Sequence, residues 1–308
     1  MVLVCRRDLS SDDKREYIRA IKCLQRLPAR DGHKPEVRSR SDEIQAAHID
    51  LADVVHQVGF FLPWHRFFVF IHETALRNEC SYSGPIPYWD VTRDADSDKP
   101  MKESPVFDSD FGFGGNGSPG TYSLPPMNFP NPSRIDKWAY SRGCVEDGPF
   151  KKSTLSLGPG KLITNHCIVR NINETYRPFL KSSALIDMKN RPGFESFSFE
   201  LEGRPRTTTY RIHDGAHVLV GGDMSNVYSS PGDPLFFLHH ANLDRIWWEW
   251  QQVKPAKRIY EVSGRTTVDP PFHNVTLDFS LRFNTLASPI RVRDVMNIVS
   301  NPLCYIYL

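Results

Sequence analysis

The sequence lacks the features that would assign it to several common protein classes. Among its 308 residues, 38 Lys and Arg nearly balance 36 Asp and Glu, and a net charge of +2 argues against a nucleic-acid or anionic-membrane binder. No apolar run reaches the roughly 18 to 20 residues of a membrane helix, because His65 and Arg66 interrupt the longest one. Repeats, sustained heptads and low-complexity segments are also missing, which excludes collagen, coiled coils and a disordered tail.

Cysteine is scarce and widely spaced, which excludes a zinc ribbon and a thioredoxin-like motif. The six cysteines form no Cys-x-x-Cys pair, so three disulfides and six reduced thiols are both compatible with the pattern. The apolar stretch within residues 1–7 is too short for a signal peptide. Whether the protein is secreted or intracellular stays open, and so does its oligomeric state. The cysteines are Cys5, Cys23, Cys80, Cys144, Cys167 and Cys304.

The spacing of apolar residues predicts a mainly α-helical protein. A first helix is expected between Ser10, a suitable N-cap, and Pro28. A second helix is expected over residues 41–59 and a third over residues 63–78, with Pro63 in its first turn.

The rest of the chain has a less regular pattern. Residues 92–160 are rich in glycine and proline, which predicts a long irregular excursion over the surface. Helical character returns near His213 and is clearest over residues 235–252, after Asp233 as N-cap. The tail from about Tyr260 resembles short strands and loops. We therefore expect one helical domain over residues 1–308, a helical bundle with long irregular loops and a few short strands.

Histidines at particular spacings are the main chemical signal. His213 and His217 lie one turn apart on a predicted helix and can bind one metal ion. Only one of the adjacent residues His239 and His240 can complete that site, because helical neighbours point about 100° apart. Imidazole ligands without thiolates or carboxylates suit copper or zinc.

A second group of histidines lies upstream. His48 and His56 are separated by roughly 12 Å on an unbroken helix, so the helix must end or bend between them if both bind one ion. His65 and His72 are similarly too far apart to share an ion directly. The workable set is His48, His56 and His65, with His72 behind the site or in the core. We assign no metal to His33, His166 and His273.

Longer motifs around these histidines resemble the type 3 copper proteins. Residues 61–66 (FLPWHR) are similar to the first copper-binding signature, and residues 233–247 (DPLFFLHHANLDRIW) to the second. His213–His217 and Gly221–Met224 correspond to two further motifs of the family. Other similar segments are Tyr88–Asp90, Gly115–Gly117 and Cys304–Tyr307. The most similar subgroup is that of the short fungal polyphenol oxidases, the tyrosinases and catechol oxidases.

The resemblance implies a dinuclear site with two copper ions held in a helical bundle. It selects His240 over His239, places Phe236 beside the metals, and implies that Asp244 accepts the remote N–H of a ligand histidine. The implied ligands are His48, His56 and His65 for the first copper and His213, His217 and His240 for the second.

The chain departs from the family pattern at several positions. Val54 replaces a cysteine that in some relatives forms a thioether to the second ligand. Asp214 occupies a position that is often Asn in tyrosinases, and the water-holding glutamate corresponds to Glu202, with Glu200 as the alternative. These departures count against hydroxylation of monophenols. The Tyr305–Tyr307 motif normally ends the catalytic domain, so we expect no shielding carboxy-terminal domain.

The expected activity is oxidation of ortho-diphenols to ortho-quinones by dioxygen; whether monophenols or ortho-aminophenols are also substrates stays open. Asp214, beside the site, is a candidate acceptor of the phenol proton. The alternatives are a dedicated phenol oxidation in a secondary-metabolite pathway, a non-catalytic oxygen carrier, and a zinc hydrolase, although residues 213–217 lack the glutamate of a zinc-protease helix. Substrate choice is expected to lie in residues 92–160 and 224–230.

Overall fold

A computed structural model describes residues 2–31, 34–126 and 134–308. The architecture is mainly α-helical with few and short strands, as the sequence predicts. The described α-helices are α1 Ser11–Leu24, α2 Arg40–Val55, α3 Phe61–Cys80, α4 Val91–Ala95, α5 Ser182–Lys189, α6 Phe194–Glu202, α7 Ile212–Val220, α8 Leu235–Val253 and α9 Pro255–Arg258.

Short 3-10 turns and two-to-five-residue strands fill the connections. The strands are β1 Val2–Cys5, β2 Ile86–Tyr88, β3 Gly143–Cys144, β4 Thr154–Leu157, β5 Ile163–Cys167, β6 Val169–Arg170, β7 Ser280–Leu281, β8 Ile290–Arg291 and β9 Ile306–Tyr307. The 3-10 turns are Arg6–Asp8, Met101–Glu103, Pro105–Phe107, Trp138–Tyr140, Glu174–Leu180, Gly222–Ser225, Ser230–Gly232 and Val292–Val295.

Helix starts follow the capping rules, with small shifts from the predicted residues. The Ser10 side chain accepts a hydrogen bond from the Asp13 N–H, as expected for the N-cap of α1. Helix α2 begins after Ser39, earlier than Ser41, because Ser39 and Asp42 form a reciprocal capping box. Pro63 is the third residue of α3, where its missing N–H breaks no helical hydrogen bond.

Two helices before His213, α5 and α6, are missing from the sequence prediction. A signal for α6 was present, since Phe194, Phe197 and Leu201 recur at helical spacing and are all fully buried. Both helices are short, with eight and nine residues, so their apolar pattern repeats too few times to give a clear helical prediction.

The prediction of a surface excursion over residues 92–160 is wrong for much of its length. The backbone is irregular, but Met101, Phe107, Phe113 and Phe150 are buried in the main core. The backbone carbonyls that burial would leave unpaired are satisfied by a buried arginine: Arg170 donates to the carbonyl oxygens of residues 113–115.

The main core surrounds α3 and α8, which pack against each other at the centre of the molecule. One cluster of buried apolar side chains includes residues from Leu3 to Tyr307. A parallel sheet with strand order β2-β1-β9 joins both ends of the described chain to this core, with Leu3 paired to Ile86 and Tyr307.

The cysteines follow neither of the two patterns left open by the sequence. Cys23–Cys80 and Cys144–Cys167 form disulfides, and Cys5 and Cys304 form none within the described residues. The first disulfide joins α1 to the end of α3, and the second joins β3 to β5.

Candidate dinuclear metal site

Three histidines of the amino-terminal half converge at the end of α2. His48 lies within α2, His56 is the residue that follows it, and His65 lies near the start of α3. The helix ends between His48 and His56, as their spacing requires, because His56 has extended backbone angles (φ −105°, ψ 153°). One ring nitrogen from each histidine lies within 4.8 Å of the others.

Three further histidines converge from α7 and α8. His213 and His217 lie one turn apart on α7, and His240 lies on α8. Their nearest ring nitrogens are also within 4.8 Å of one another. The rings of His65 and His240 stack at 4.6 Å between centroids, so the two trios face each other directly.

Backbone carbonyls fix the orientation of five of these six imidazoles. A carbonyl only accepts hydrogen bonds, so the Nδ1 atom facing it carries the proton and Nε2 keeps a lone pair for a metal. The pairs are His48 with Tyr228 O at 2.7 Å, His56 with Ala52 O at 2.8 Å, His65 with Phe61 O at 2.9 Å, His213 with Glu202 O at 2.8 Å and His217 with Met224 O at 2.6 Å.

The Nε2 atoms at the centre fit a metal rather than a hydrogen-bonded network. Within the described residues, Nε2 of His48 and of His65 is buried and has no hydrogen-bond partner. Leaving such atoms unsatisfied costs about 1–3 kcal/mol each. In the second trio, Nε2 of His217 lies 3.2 Å from Nε2 of His240, a separation compatible with two ligands of one ion.

Burial keeps the imidazoles in the form that binds metals. Desolvation lowers the pKa of His56 and of His217 to about 4. It also lowers the pKa values of the other four well below their usual range, with His48, His65, His213 and His240 all affected. At neutral pH the site is therefore a set of neutral donors, which suits copper or zinc.

The remaining histidines lie outside the two trios. Nε2 of His239 makes a hydrogen bond with the His213 carbonyl at 3.0 Å, and the His72 ring stacks on Phe237 at 3.6 Å. His166 contacts Asp223, and His273 is exposed. His33 lies outside the described residues.

Phe236 forms the aromatic wall of the site. Its ring centroid is 4.1 Å from that of His240 and 5.2 Å from that of His48, so it contacts both trios. This buried ring excludes water from one side of the space between the trios.

The expected role of Asp244 is wrong. Among the described residues, its carboxylate accepts hydrogen bonds from Arg66, Tyr305 and Tyr307 and none from a histidine. The physical reason is charge: a buried carboxylate pairs with the buried guanidinium of Arg66 on the neighbouring helix α3. Asp244 therefore joins α8 to α3 and to the carboxy-terminal strand behind the site.

A cavity of about 290 Å³ opens onto the second trio. Its walls include His56, His213 and His217, the three site histidines with the greatest exposure, 8–9% each. Loop residues 225–227 and Ser230, from the segment in which substrate choice is expected to lie, also line it. A larger cavity of about 460 Å³, beside Cys5 and Trp89, has no histidine among its described lining residues.

Two carboxylates line the cavity next to His213. Glu202 accepts a hydrogen bond from the Gln57 N–H, and burial raises its pKa to about 7. Asp214 accepts from the N–H groups of Arg204 and Arg211, and burial raises its pKa to about 6.

Glu200, the alternative to Glu202, instead pairs with Arg211 and Arg191 and is not part of the cavity wall.

Sequence reasoning missed the basic residues of this cavity. Arg134 and Arg204 both line it, and neither belongs to a motif. The available signals were the closeness of Arg204 to Glu202 in sequence and the position of Arg134 within residues 92–160, where substrate choice is expected to lie.

Comparison with known proteins gives a consistent picture. The family model described as the common central domain of tyrosinase matches residues 35–253, a range that includes all six histidines. The chain is 32% identical to the N-acetyl-6-hydroxytryptophan oxidase of Emericella nidulans, over 97% of this chain and 90% of that protein. It is 31% identical to tyrosinase P of Aspergillus terreus, with the same coverage.

Solved structures show the same fold. A mutant polyphenol oxidase from Thermothelomyces thermophila superposes with a TM-score of 0.88 at 30% identity, over 100% of this chain and 88% of that one. A functional unit of octopus hemocyanin, 20% identical, shares the fold alone, with a TM-score of 0.51 over 83% of this chain and 55% of that one.

Proposed function

This chain belongs to the tyrosinase family of type 3 copper proteins, and from that premise we propose that it oxidises ortho-diphenols to ortho-quinones with dioxygen. Two diphenols and one dioxygen give two quinones and two waters, so that protons and electrons balance. The observation that carries the proposal is the pair of facing histidine trios with a cavity whose walls include histidines of both.

The six imidazoles are proposed to hold two copper ions, three for each ion. Bound copper supplies the electron transfer between phenol and dioxygen. The chain contributes ligand geometry, since carbonyl contacts hold five of the rings with Nε2 directed inward. The ligands are His48, His56, His65, His213, His217 and His240.

Glu202 and Asp214 are proposed to handle the protons of the substrate. Glu202 has a pKa raised to about 7, which suits a group that accepts and releases a proton near neutral pH. Both oxygens of Asp214 accept backbone N–H groups, so this residue also holds the wall of the cavity and the start of α7 in place. Its proposed second role is to accept a proton.

The open cavity supports an enzyme rather than an oxygen carrier. A carrier needs access for dioxygen only, whereas about 290 Å³ adjoining the histidines accommodates an aromatic ring.

A second candidate is a dedicated oxidation of one phenolic metabolite. It is supported by the names of the relatives. One is an oxidase of N-acetyl-6-hydroxytryptophan. Two others are named a tyrosinase-like protein and an oxidase, each from a fungus. The chemistry at the site is the same in both candidates, and they differ in how narrow the substrate range is.

Metal analysis combined with oxygen uptake tests the proposal. We expect two coppers per chain and oxygen consumption with ortho-diphenols, lost after chelation and restored by copper. A panel of mono-, di- and aminophenols separates a broad oxidase from a dedicated one. Zinc in place of copper, or copper-loaded protein that binds dioxygen without consuming any phenol of the panel, would contradict the proposal.

A further inference from the structure

We infer that the substrate is a phenol that carries a carboxylate, and that Arg204, assisted by Arg134, binds this group at the mouth of the cavity. The inference rests on the proposed function, since it names the substrate class of the same site. It follows from the arrangement of charge between the floor and the rim of the cavity.

The cavity has a buried floor and an exposed cationic rim. The floor consists of His56, His213 and His217, each 8–9% exposed. At the rim, the side chains of Arg134 and Arg204 are 62% and 46% exposed. A phenol whose hydroxyl groups reach the floor therefore directs its opposite end toward the two guanidinium groups.

Arg204 is held in place without having its charge fully neutralised. Its guanidinium lies 3.6 Å from the centre of the Tyr210 ring, which fixes the side chain by a cation–π contact. Its nearest carboxylate oxygen, on Asp214, is 3.8 Å from Nε, beyond hydrogen-bonding distance. That Asp214 oxygen already accepts the backbone N–H of Arg204.

Arg134 also lies near a carboxylate without a direct hydrogen bond to it. Its nearest carboxylate, Asp53, lies 3.9 Å away and also binds the Lys161 ammonium at 2.6 Å and the Tyr228 hydroxyl at 2.7 Å. Within the described part of the chain, neither the Arg134 nor the Arg204 guanidinium donates a hydrogen bond shorter than 3.5 Å.

These donors match a carboxylate better than other substituents. A guanidinium presents a planar pair of N–H groups that fits both oxygens of a carboxylate, and the charge-assisted bonds are about twice as strong as neutral ones. Glu202 and Asp214 also line the cavity, but within the described residues neither accepts a hydrogen bond from the Arg134 or Arg204 guanidinium, and the Asp214 oxygen is 3.8 Å from Arg204 Nε. A positively charged substituent would be repelled at this rim.

Matched substrates measure the effect. We compare 3-(3,4-dihydroxyphenyl)propionic acid with its methyl ester in copper-loaded protein, as the ratio of their kcat/KM values. R204Q is expected to lower the acid-to-ester ratio about tenfold and R134Q about threefold. The change lies mainly in the KM of the acid, since the contact is equal in ground and transition states.

An exposed arginine away from the cavity is the control. Arg15 on α1 is 59% exposed, pairs with Asp12 and does not line the cavity. Changing it to Gln removes the same charge as R204Q does. R15Q should leave the ratio unchanged. In the wild type, the preference for the acid should shrink as salt rises, because the rim is exposed to solvent.

A binding measurement separates this inference from the proposed function. Calorimetric titration of the copper-loaded protein with 3-phenylpropionate, and with its neutral amide, needs no turnover because neither ligand has a hydroxyl group. Weaker binding of the acid in R204Q, with the amide unaffected, supports the inference even if no catechol is oxidised. An unchanged acid-to-ester ratio, or unchanged binding of the acid, in the folded R134Q/R204Q double variant overturns it.

Discussion

The two histidine trios are built in different ways. In the first, His56 and His65 bond carbonyls four residues earlier in their own helical segments, Ala52 and Phe61. In the second, His213 and His217 bond carbonyls outside their helix, those of Glu202 and Met224. Local helix geometry thus orients two rings of the first trio, while His48 is held by the distant Tyr228 carbonyl. The second trio is oriented mainly by tertiary contacts.

This difference predicts where each half of the site is vulnerable. Changes in the turn that carries the Met224 carbonyl should disturb mainly the second trio, because that carbonyl orients His217. Changes at Tyr228 should disturb the first trio, because the Tyr228 carbonyl orients His48. Changes at the α3–α8 contact should disturb both trios, because His65 and His240 lie on these two helices. Changes at the start of α2 should affect only the stability of that helix.

Removing one histidine from either trio should have the largest effect. We expect H65A and H240A each to lower catechol oxidation at least about a thousandfold and to leave about one copper per chain, since a site with two ligands binds weakly. Oxygen uptake and metal analysis on the folded variants provide the check. H72N, which changes a buried histidine outside both trios, should keep both coppers; two coppers in H65A or H240A would refute the ligand assignment.

Breaking the buried ion pair between α3 and α8 should have the next largest effect. Arg66 pairs with Asp244 with both side chains buried and donates to the carbonyl of Met296. R66M should lower the free energy of unfolding by about 3–5 kcal/mol, because it leaves a buried charge without its partner. Urea unfolding measures this.

The exposed pair Arg293–Asp278 is the matched control for this change. R293M should change the free energy of unfolding by less than about 1 kcal/mol. Equal effects of R66M and R293M would show that the α3–α8 contact does not depend on the buried charges.

A single methyl group at Gly222 should damage the second trio more than the first. Gly222 has a positive φ of 53°, and a Cβ there would lie 1.9 Å from the Val169 carbonyl oxygen. G222A should therefore cost about 2–4 kcal/mol, from backbone strain and overlap together. It should also weaken one copper, because the turn carries the Met224 carbonyl that orients His217.

Gly120 is the comparison for Gly222, since its φ is 77° and no atom lies within 4 Å of the added Cβ. G120A should cost only about 1 kcal/mol and leave both coppers bound. Unfolding curves and copper titrations of the two variants give the test. A loss of both coppers in G222A would mean that the trios are not independently supported.

The smallest effect should come from the cap of α2. Ser39 accepts the Asp42 N–H at the start of that helix, two turns before His48. S39A should lower the free energy of unfolding by about 1 kcal/mol and leave copper content and oxidation unchanged. A change in the copper content of S39A would contradict the prediction that the start of α2 affects only the stability of that helix.

Several features of the site could be predicted because they depend on local spacing. The break between His48 and His56, the one-turn pairing of His213 and His217, and the Ser10 cap all follow from helix geometry. The family resemblance added the choice of His240 over His239. These are properties of short segments, so they can be predicted from residue spacing without knowledge of what packs around the segment.

Other features were wrong or missing because they depend on distant residues. The partners of Asp244 come from α3 and from the carboxy-terminal segment. Arg66 on α3 is 178 residues away from Asp244 in the sequence. The buried carbonyls of Phe113 and Gly114 are paired by Arg170, which is more than 50 residues away in sequence. No local pattern contains such information.

The sequence by itself determined the helical class and the grouping of the histidines into two sets, because side-chain chemistry and helix periodicity are local. Only the tertiary structure decided which carbonyls hold the rings, what Asp244 binds, and which charges border the cavity. Those choices arise when segments far apart in the chain are packed together, since a buried polar group takes whichever partner the packing brings within hydrogen-bonding distance.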